Sequence, residues 1–223
     1  MKVEYIDHMG SDLAVANAAR VSMGKWKEKF DGKDEKLINY LATHNHFSPF
    51  THPRIQLRVE MPFAIARQWE KHRVGCVRGY DIYDHNEISR RYVDDDPVFF
   101  TPESWRARPD GSIKQGSSED LDALKQYRVS QIYAELLDHA EKAYAAMLAF
   151  EVCPEQARFA LPVSTYTQWV ESGSLMYWAR MCKLRLDSHA QKEIRDLAMQ
   201  VNAIVAPLFP VSWVALMGGE IDQ

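Results

Sequence analysis

Cysteine is scarce in this sequence, and long apolar runs are missing. Only three cysteines occur among 223 residues, namely Cys76, Cys153 and Cys182. Because their number is odd and they lie far apart, they indicate reduced cytosolic thiols rather than a disulfide framework. No segment reaches the roughly 20 apolar residues of a membrane helix, and the N-terminus lacks the apolar run of a signal peptide. We therefore expect a cytoplasmic protein without a membrane partner.

An excess of one charge is also missing. The 27 lysines and arginines nearly balance the 31 aspartates and glutamates, which leaves a net charge of -4. This balance gives no general attraction to nucleic acid, so an anionic ligand must be bound by a local group of arginines. The length and the absence of a linker-like stretch favour one domain over residues 1–223.

Hydrophobic patterning predicts an α+β protein whose helices dominate the C-terminal half. Alternating apolar residues over Ile55–Met61 predict a half-buried strand. Pro62 is typical of a first helical position, and the helix is expected to reach His72. The other expected segments are a helix capped by Asp34, a loop over 74–86, an extended segment over 92–100, helices over 119–150, 174–186 and 188–206, a short helix from Pro154, and a strand over 163–171.

Basic and polar residues concentrate in three places. They are Arg67-Gln68-Trp69-Glu70-Lys71-His72-Arg73, Asn86-Glu87-Ile88-Ser89-Arg90-Arg91-Tyr92, and the pair Arg158 and Arg185. On the predicted helix, Gln68, Lys71 and His72 share one face at i, i+3 and i+4. Such a face suits a phosphate or a polar ring. From charge alone, a solvated basic face with surface ion pairs is the simpler interpretation.

The order of the motifs changes that interpretation. His72-Arg73, a loop, and then Asn86-Glu87-Ile88-Ser89-Arg90-Arg91-Tyr92 resemble the signature of the flavin-dependent thymidylate synthases, the ThyX type. Further matching segments are His46-Phe47-Ser48-Pro49-Phe50-Thr51-His52, Ala66-Arg67-Gln68-Trp69, Ala157-Arg158-Phe159-Ala160-Leu161-Pro162 and Leu184-Arg185-Leu186-Asp187-Ser188-His189-Ala190-Gln191. The resemblance runs roughly from Leu37 to Ala206, and the run Ser89–Asp95 is most similar to phage-type members.

This resemblance implies an activity and an architecture. The activity is the reductive methylation of dUMP to dTMP, with FAD as cofactor, methylenetetrahydrofolate as carbon donor and NADPH as reductant. The architecture is a helix-rich single domain with a central antiparallel or mixed sheet. The resemblance also implies a homotetramer whose sites are shared between subunits.

It further implies site residues. Those for dUMP are Gln68, Lys71, Glu87, Ile88, Ser89, Arg90, Arg91, Arg158 and Arg185. Those for FAD are Ser48, Lys71, His72, Arg73, Glu87, Ser174, Met176 and Arg180. Arg185 is the expected catalytic group, because a fixed guanidinium beside a ring nitrogen favours ionised uracil.

Several positions depart from the family pattern. Lys71 stands where the family usually has arginine, which keeps the charge but loses the bidentate fork. Ser174 and Met176 fall where many members carry asparagine and arginine for the flavin nucleotide. The loop Val74–His85 is longer than the family's gap.

Three alternatives stay open at this point. One is a flavin-dependent C5 methylase or hydroxymethylase of another pyrimidine nucleotide, and another is a non-catalytic nucleotide-binding protein. The third is a metal-dependent hydrolase that uses His44, His46 and His52. No cysteine or carboxylate completes a recognisable ligand set around these histidines, so no metal is expected.

Overall fold

The computed structural model describes residues 1–72, 85–92, 95–109, 111 and 116–218. A four-stranded antiparallel sheet has the order β1-β2-β4-β3. Its strands are β1 (Lys2–Met9), β2 (Arg54–Pro62), β3 (His85–Glu87) and β4 (Tyr166–Ser174). The helices are α1 (Asp12–Arg20), α2 (Gly32–Thr43), α3 (Phe63–Glu70), α4 (Ala123–Ala149), α5 (Pro154–Ala157), α6 (Leu175–Arg185), α7 (Lys192–Val205) and α8 (Pro210–Met217). The helix-rich α+β class and the antiparallel sheet predicted for this chain are thereby confirmed.

The chain divides into two compact units. The described residues of the first unit are 1–59, 71, 72, 85, 86 and 169–218, and those of the second are 60–70, 87–92, 95–109, 111 and 116–168. The single domain expected over residues 1–223 stays a prediction. No described helix is long and apolar enough to cross a membrane.

Strand β2 follows the predicted alternation. Ile55, Leu57, Val59 and Met61 are all 0% exposed, as one buried face of a strand requires. The prediction that Pro62 opens the next helix is wrong, because Pro62 is the last strand residue and α3 begins one residue later.

The start of α3 is held by backbone hydrogen bonds rather than by a proline. The amide of Phe63 donates to the carbonyl oxygen of Thr165 at 3.0 Å, and the amide of Ala64 donates to that of Val163 at 2.9 Å. Two of the amides that a helix leaves unpaired at its N-terminus are therefore satisfied by the chain before β4.

Helix α2 forms where predicted, but its cap differs. Asp31 is the N-cap, and Asp34 completes a capping box three residues later. Asp34 is fully buried and forms ion pairs with Arg20 and, at 2.8 Å, with Lys27. Burial alone would raise the pKa of Asp34, yet hydrogen bonds from Lys27, the Asp31 amide and Arg20 hold that pKa below its usual value. Asp34 is thus a buried ion-pair partner and the N3 residue of the capping box rather than the N-cap itself.

Three other elements begin later in the sequence than predicted, because polar groups cap a helix or form turns. Helix α4 begins at residue 123 rather than at the predicted 119, because Asp122 is its N-cap and accepts from the Lys125 amide at 3.0 Å. A hydrogen bond from the Thr165 amide to the Pro162 carbonyl at 3.0 Å makes a turn, so β4 begins after the predicted position 163. A turn at 187–190 likewise delays α7 until residue 192.

In the predicted loop 74–86, residues 74–84 lie outside the described residues. The assignment of 85 and 86 to that loop is wrong, because they belong to β3. Just beyond that strand, the amide of Ile88 donates to the carbonyl oxygen of Gln168 at 3.0 Å, which keeps the chain beside β4.

Strand β4 passes directly into α6 at a tightly packed junction. A Cβ on Gly173 would lie 2.4 Å from the Tyr177 ring and 2.9 Å from Trp178 Nε1, so this position has no room for a side chain. Ser174 caps the helix by accepting from the Tyr177 amide at 3.1 Å. Trp178 Nε1 donates to the Ile55 carbonyl at 3.1 Å. The junction therefore fixes where α6 begins.

Candidate active site

The first unit contains a cavity of about 710 Å³ beside α6, here called the α6 cavity. Its lining comes from α6, from the ends of α2 and α8, and from the residues after α3. The lining residues are Ala42, Thr43, Asn45, Phe47, Lys71, His72, Met176, Ala179, Arg180, Lys183, Leu184, Ala215, Leu216 and Gly218. Its volume lies within the usual range of small-molecule sites.

Four residues predicted to bind FAD line this cavity together, namely Lys71, His72, Met176 and Arg180. The prediction that Gln68, Lys71 and His72 share a helical face is wrong, because α3 ends at Glu70. Gln68 lies on α3, whereas Lys71 and His72 follow that helix.

His72 is the most buried polar residue of the α6 cavity. Its side chain is 5% exposed, and its Nε2 atom has no hydrogen-bond partner among the described residues. Burial, together with the positive charges of Arg185 and Arg180, lowers the pKa of His72 to about 4, although a hydrogen bond with the Tyr177 backbone opposes this shift. His72 is therefore a neutral imidazole at physiological pH, with one ring nitrogen available to a ligand.

The ring of Tyr177 packs against the ring of His72. The two ring centroids are 5.3 Å apart, with the planes inclined by 49°. The Tyr177 hydroxyl donates to Glu171, whose second carboxylate oxygen accepts from Trp169 Nε1 at 2.9 Å. This connected set of hydrogen bonds restricts the ring against which His72 packs.

The second unit contains a cavity of about 380 Å³, here called the arginine cavity. Its lining residues are Phe63, Glu87, Ile88, Ser89, Arg90, Arg91, Arg158, Leu161 and Pro162. Six of the nine residues predicted to bind dUMP line it, from Glu87 to Arg91 and Arg158. Residues about 70 positions apart are thus brought together, which the motif order implied but charge alone did not.

Local hydrogen bonds orient the side chains of the arginine cavity. Glu87 accepts from Thr167 Oγ1 at 2.5 Å. Arg91 Nε donates to Ser89 Oγ at 2.9 Å, so this serine is a hydrogen-bonding group rather than a nucleophile with a base. Arg158 Nε donates to the Glu155 carbonyl at 3.1 Å.

Arg90 is held in a different way, through the segment that follows it. Its Nη1 donates to the backbone oxygen of Asp95 at 2.9 Å and to the Asp95 carboxylate at 3.1 Å. The side chain is 11% exposed, whereas that of Asp95 is 62% exposed. Arg90 is therefore an ordered cation at the cavity edge, partly neutralised by a solvent-facing acid.

The remaining predicted site residues that the structure describes line neither cavity. Ser48 is exposed in a 3-10 turn, and Ser174 serves as the cap of α6. Arg185 is the half-buried last residue of α6, and burial lowers its pKa. Two residues beyond Arg185, Asp187 Oδ1 accepts from the His189 amide at 2.8 Å. Arg73 lies outside the described residues.

Neither cysteines nor histidines form a second candidate centre in the described ranges. Cys153 is exposed, and Cys182 is buried, which raises its thiol pKa. Cys76 lies outside the described residues. Of His44, His46 and His52, the first two pack with Tyr40, and no group of three His, Cys, Asp or Glu residues in the described part is placed to hold a metal ion.

Sequence reasoning missed several lining residues, above all Lys183. A usable signal was present, because Met176, Arg180 and Lys183 recur at i, i+4 and i+7, the spacing of one helical face. Asn45 was hidden because its position depends on a left-handed backbone, with φ of 59°, after α2. Phe63 lines the arginine cavity from the first position of α3.

Comparison with known proteins places this chain in a family of enzymes. The family described as thymidylate synthase complementing protein matches residues 4–211. The chain belongs to this family, that of the flavin-dependent thymidylate synthases, as its motifs predicted. It is accordingly an enzyme of the methyltransferase class.

Individual relatives are similar to this chain over nearly its whole length. A flavin-dependent thymidylate synthase of Thermus thermophilus is 36% identical over 215 residues, covering 96% of this chain and 74% of the relative. One from Thermosipho africanus is 35% identical, covering 95% and 89%. A crystal structure of the UMP/dUMP methylase PolB from Streptomyces cacaoi bound with 5-Br dUMP superposes with a TM-score of 0.83 at 28% identity, covering 100% of this chain and 97% of that one.

The protonation state of His72 is testable. Since its folded pKa of about 4 lies below the usual 6.5, the folded state binds fewer protons between these values. Stability should therefore fall as the pH drops from about 7 to about 4, by as much as about 3 kcal/mol from this group. His72→Gln should flatten that part of the profile in urea unfolding. Histidine carbon NMR, with this variant as the assignment control, should show a neutral ring at pH 6; titration near 6.5 would contradict the burial argument.

Proposed function

We propose that this enzyme methylates dUMP at carbon 5 to give dTMP, with FAD as cofactor, methylenetetrahydrofolate as carbon donor and NADPH as reductant. The observation that carries the proposal is the arginine cavity. There Arg90, Arg91 and Arg158 surround a space of about 380 Å³ together with Glu87 and Ser89. Membership of the family and the names of the relatives support the same reaction.

The arginine cavity has the chemistry that a nucleotide monophosphate needs. Guanidinium forks bind phosphate oxygens in a bidentate manner, and Arg91 and Arg158 each use only Nε in the contacts described above. Glu87 accepts a hydrogen bond from Thr167, and Ser89 from Arg91, so both are oriented groups suited to polar edges of a sugar or base. The proposed nucleotide contacts also include Ile88, Gln68 and Lys71.

The α6 cavity fits the proposed flavin. Lys71 and Arg180 supply positive charge for an anionic dinucleotide, and Met176 supplies an apolar surface. The Nε2 atom of His72, which has no hydrogen-bond partner among the described residues, can bond to a polar atom of the flavin ring. When bound, FAD would carry reducing equivalents from NADPH to the pyrimidine. Further proposed contacts are Ser48, Arg73, Glu87 and Ser174.

Arg185 is the proposed catalytic group. Its guanidinium would stabilise uracil deprotonated at the ring nitrogen, which raises the electron density at carbon 5. Arg185 is half-buried, and partial removal from water strengthens its interaction with an anion. No cysteine thiolate is needed for this activation, in keeping with the high thiol pKa of buried Cys182.

A second candidate substrate is UMP. It is favoured by the structural neighbours, which are described as a UMP/dUMP methylase bound with 5-Br dUMP and with 5-Br UMP. The two nucleotides differ only at the 2′-hydroxyl, so the same arginine cavity suits the phosphate and base of both. The alternative product of the same reaction type carries a hydroxymethyl group at carbon 5 in place of methyl.

Turnover assays distinguish these functions. Purified protein with FAD, NADPH and methylenetetrahydrofolate should oxidise NADPH with dUMP present, and mass spectrometry should find dTMP. UMP in place of dUMP tests the second candidate, and a hydroxymethyl product would favour the other chemistry. Reactions that lack the folate or the nucleotide serve as controls. Nucleotide binding without any product, in protein that binds FAD, would indicate a non-catalytic binding protein.

Replacement of Arg185 and replacement of Arg158 should change different kinetic constants. Arg185→Ala should slow methyl transfer about a hundredfold, because a charged contact to a developing anion contributes roughly 3 kcal/mol. Arg185→Lys should recover only part of the rate, since it lacks the planar fork. Arg158→Ala should mainly raise the dUMP Michaelis constant. If Arg185→Ala binds FAD and methylates dUMP at the wild-type rate, the activating group lies elsewhere.

We also propose that the enzyme is a homotetramer with shared sites. Helix α4 supports assembly, because only Ala140 and Tyr144 of its 27 residues are buried, whereas Ile132 is 67% and Leu136 54% exposed. Light scattering should give the mass of four chains. Ile132→Glu should reduce that mass, with Lys142→Glu, on the same helix, as a matched control. A fully active wild-type monomer would refute the proposal.

A further inference from the structure

Three cations, and no carboxylate, are among the described residues that line the α6 cavity. They are Lys71, Arg180 and Lys183, and the lining residues given above include neither aspartate nor glutamate. The sign of this lining contrasts with the net charge of the chain, which is -4. The concentration of positive charge is therefore local to this cavity.

Lys183 differs in its surroundings from Lys142 and Lys192, two other exposed helical lysines. Lys142 lies 2.6 Å from Asp138, and Lys192 lies 2.6 Å from Asp196, each one helical turn away. Lys183 forms no comparable ion pair with any carboxylate in the described ranges. Neutralisation of its charge is thus left to solvent or to a ligand of the cavity.

The spacing along α6 indicates which ligand group that is. Arg180 and Lys183 are three residues apart on a helix, so their Cβ atoms are about 5–6 Å apart and their heads reach neighbouring points. We propose that Lys183 binds the diphosphate of the flavin nucleotide beside Arg180. This inference rests on the proposed function, to which it adds a cofactor-binding residue and the part of the cofactor that it recognises.

A purely structural role for Lys183 makes different predictions. A lysine in the last turn of a helix interacts favourably with the helix dipole. Its replacement would then weaken the helix slightly and affect every ligand of the cavity alike. A phosphate contact instead affects only ligands that carry phosphate.

The experiment compares flavins with and without phosphate. Fluorescence titration measures the Kd of FAD, FMN and riboflavin for wild-type protein, Lys183→Ala, Lys183→Arg and the control Lys142→Ala. Lys183→Ala should weaken FAD binding about tenfold, as expected for one charge-assisted contact, and should leave riboflavin binding unchanged. Lys183→Arg should retain most of the FAD affinity, and Lys142→Ala should match the wild type. Inorganic pyrophosphate should compete with FAD in the wild type and less well in Lys183→Ala.

Each outcome has a separate meaning. An unchanged FAD Kd in folded Lys183→Ala, or an equal loss for riboflavin and FAD, overturns the proposal while the flavin function stands. If riboflavin binds too weakly to measure, equal pyrophosphate competition in the two proteins overturns it. If the wild-type protein binds none of the three flavins in a saturable manner, both the proposed function and the role of Lys183 are overturned.

Discussion

The junction between β4 and α6 is the constraint on which the α6 cavity depends. Gly173 allows the chain to turn beneath Tyr177 and Trp178, and Ser174 caps the helix immediately afterwards. Because the first turn of α6 is fixed, so are the directions of Arg180 and Lys183 further along it. A side chain at Gly173 would displace these rings, which belong to the first turn of α6.

Burial of His72 determines the protonation state of a residue that lines the α6 cavity. His72 lies against Tyr177, and its low pKa makes it a neutral hydrogen-bonding group among cations. Lys71, Arg180 and Lys183 line the same cavity, where a ligand can neutralise them. The same unit therefore offers a buried polar ring contact together with positive charge, an arrangement suited to a ligand that combines a ring with anionic groups.

In the second unit, a short strand followed by a turn positions the residues of the arginine cavity. Strand β3 ends at Glu87, and the turn that follows directs Ser89 and Arg91 toward Arg158. Here backbone pairing with β4 and a few side-chain hydrogen bonds replace a helix as the support. Arginines on such a support present their forks while their stems remain anchored, which favours recognition of a planar or tetrahedral anion.

The sequence by itself determined the elements with strong periodicity and the identity of the motif residues. Strand β2, the body of α2 and α4, and the grouping of Glu87 to Arg91 with Arg158 follow from local pattern and motif order. Tertiary structure decided the rest. Asp34 became a buried ion-pair partner because Arg20 and Lys27 fold against it, and α3 stopped before Lys71. The spacing of Lys183 with Met176 and Arg180 shows one helical face in the local sequence. That this face lines a cavity depends on α2 and α8, and contacts between such distant segments leave no signal in local sequence.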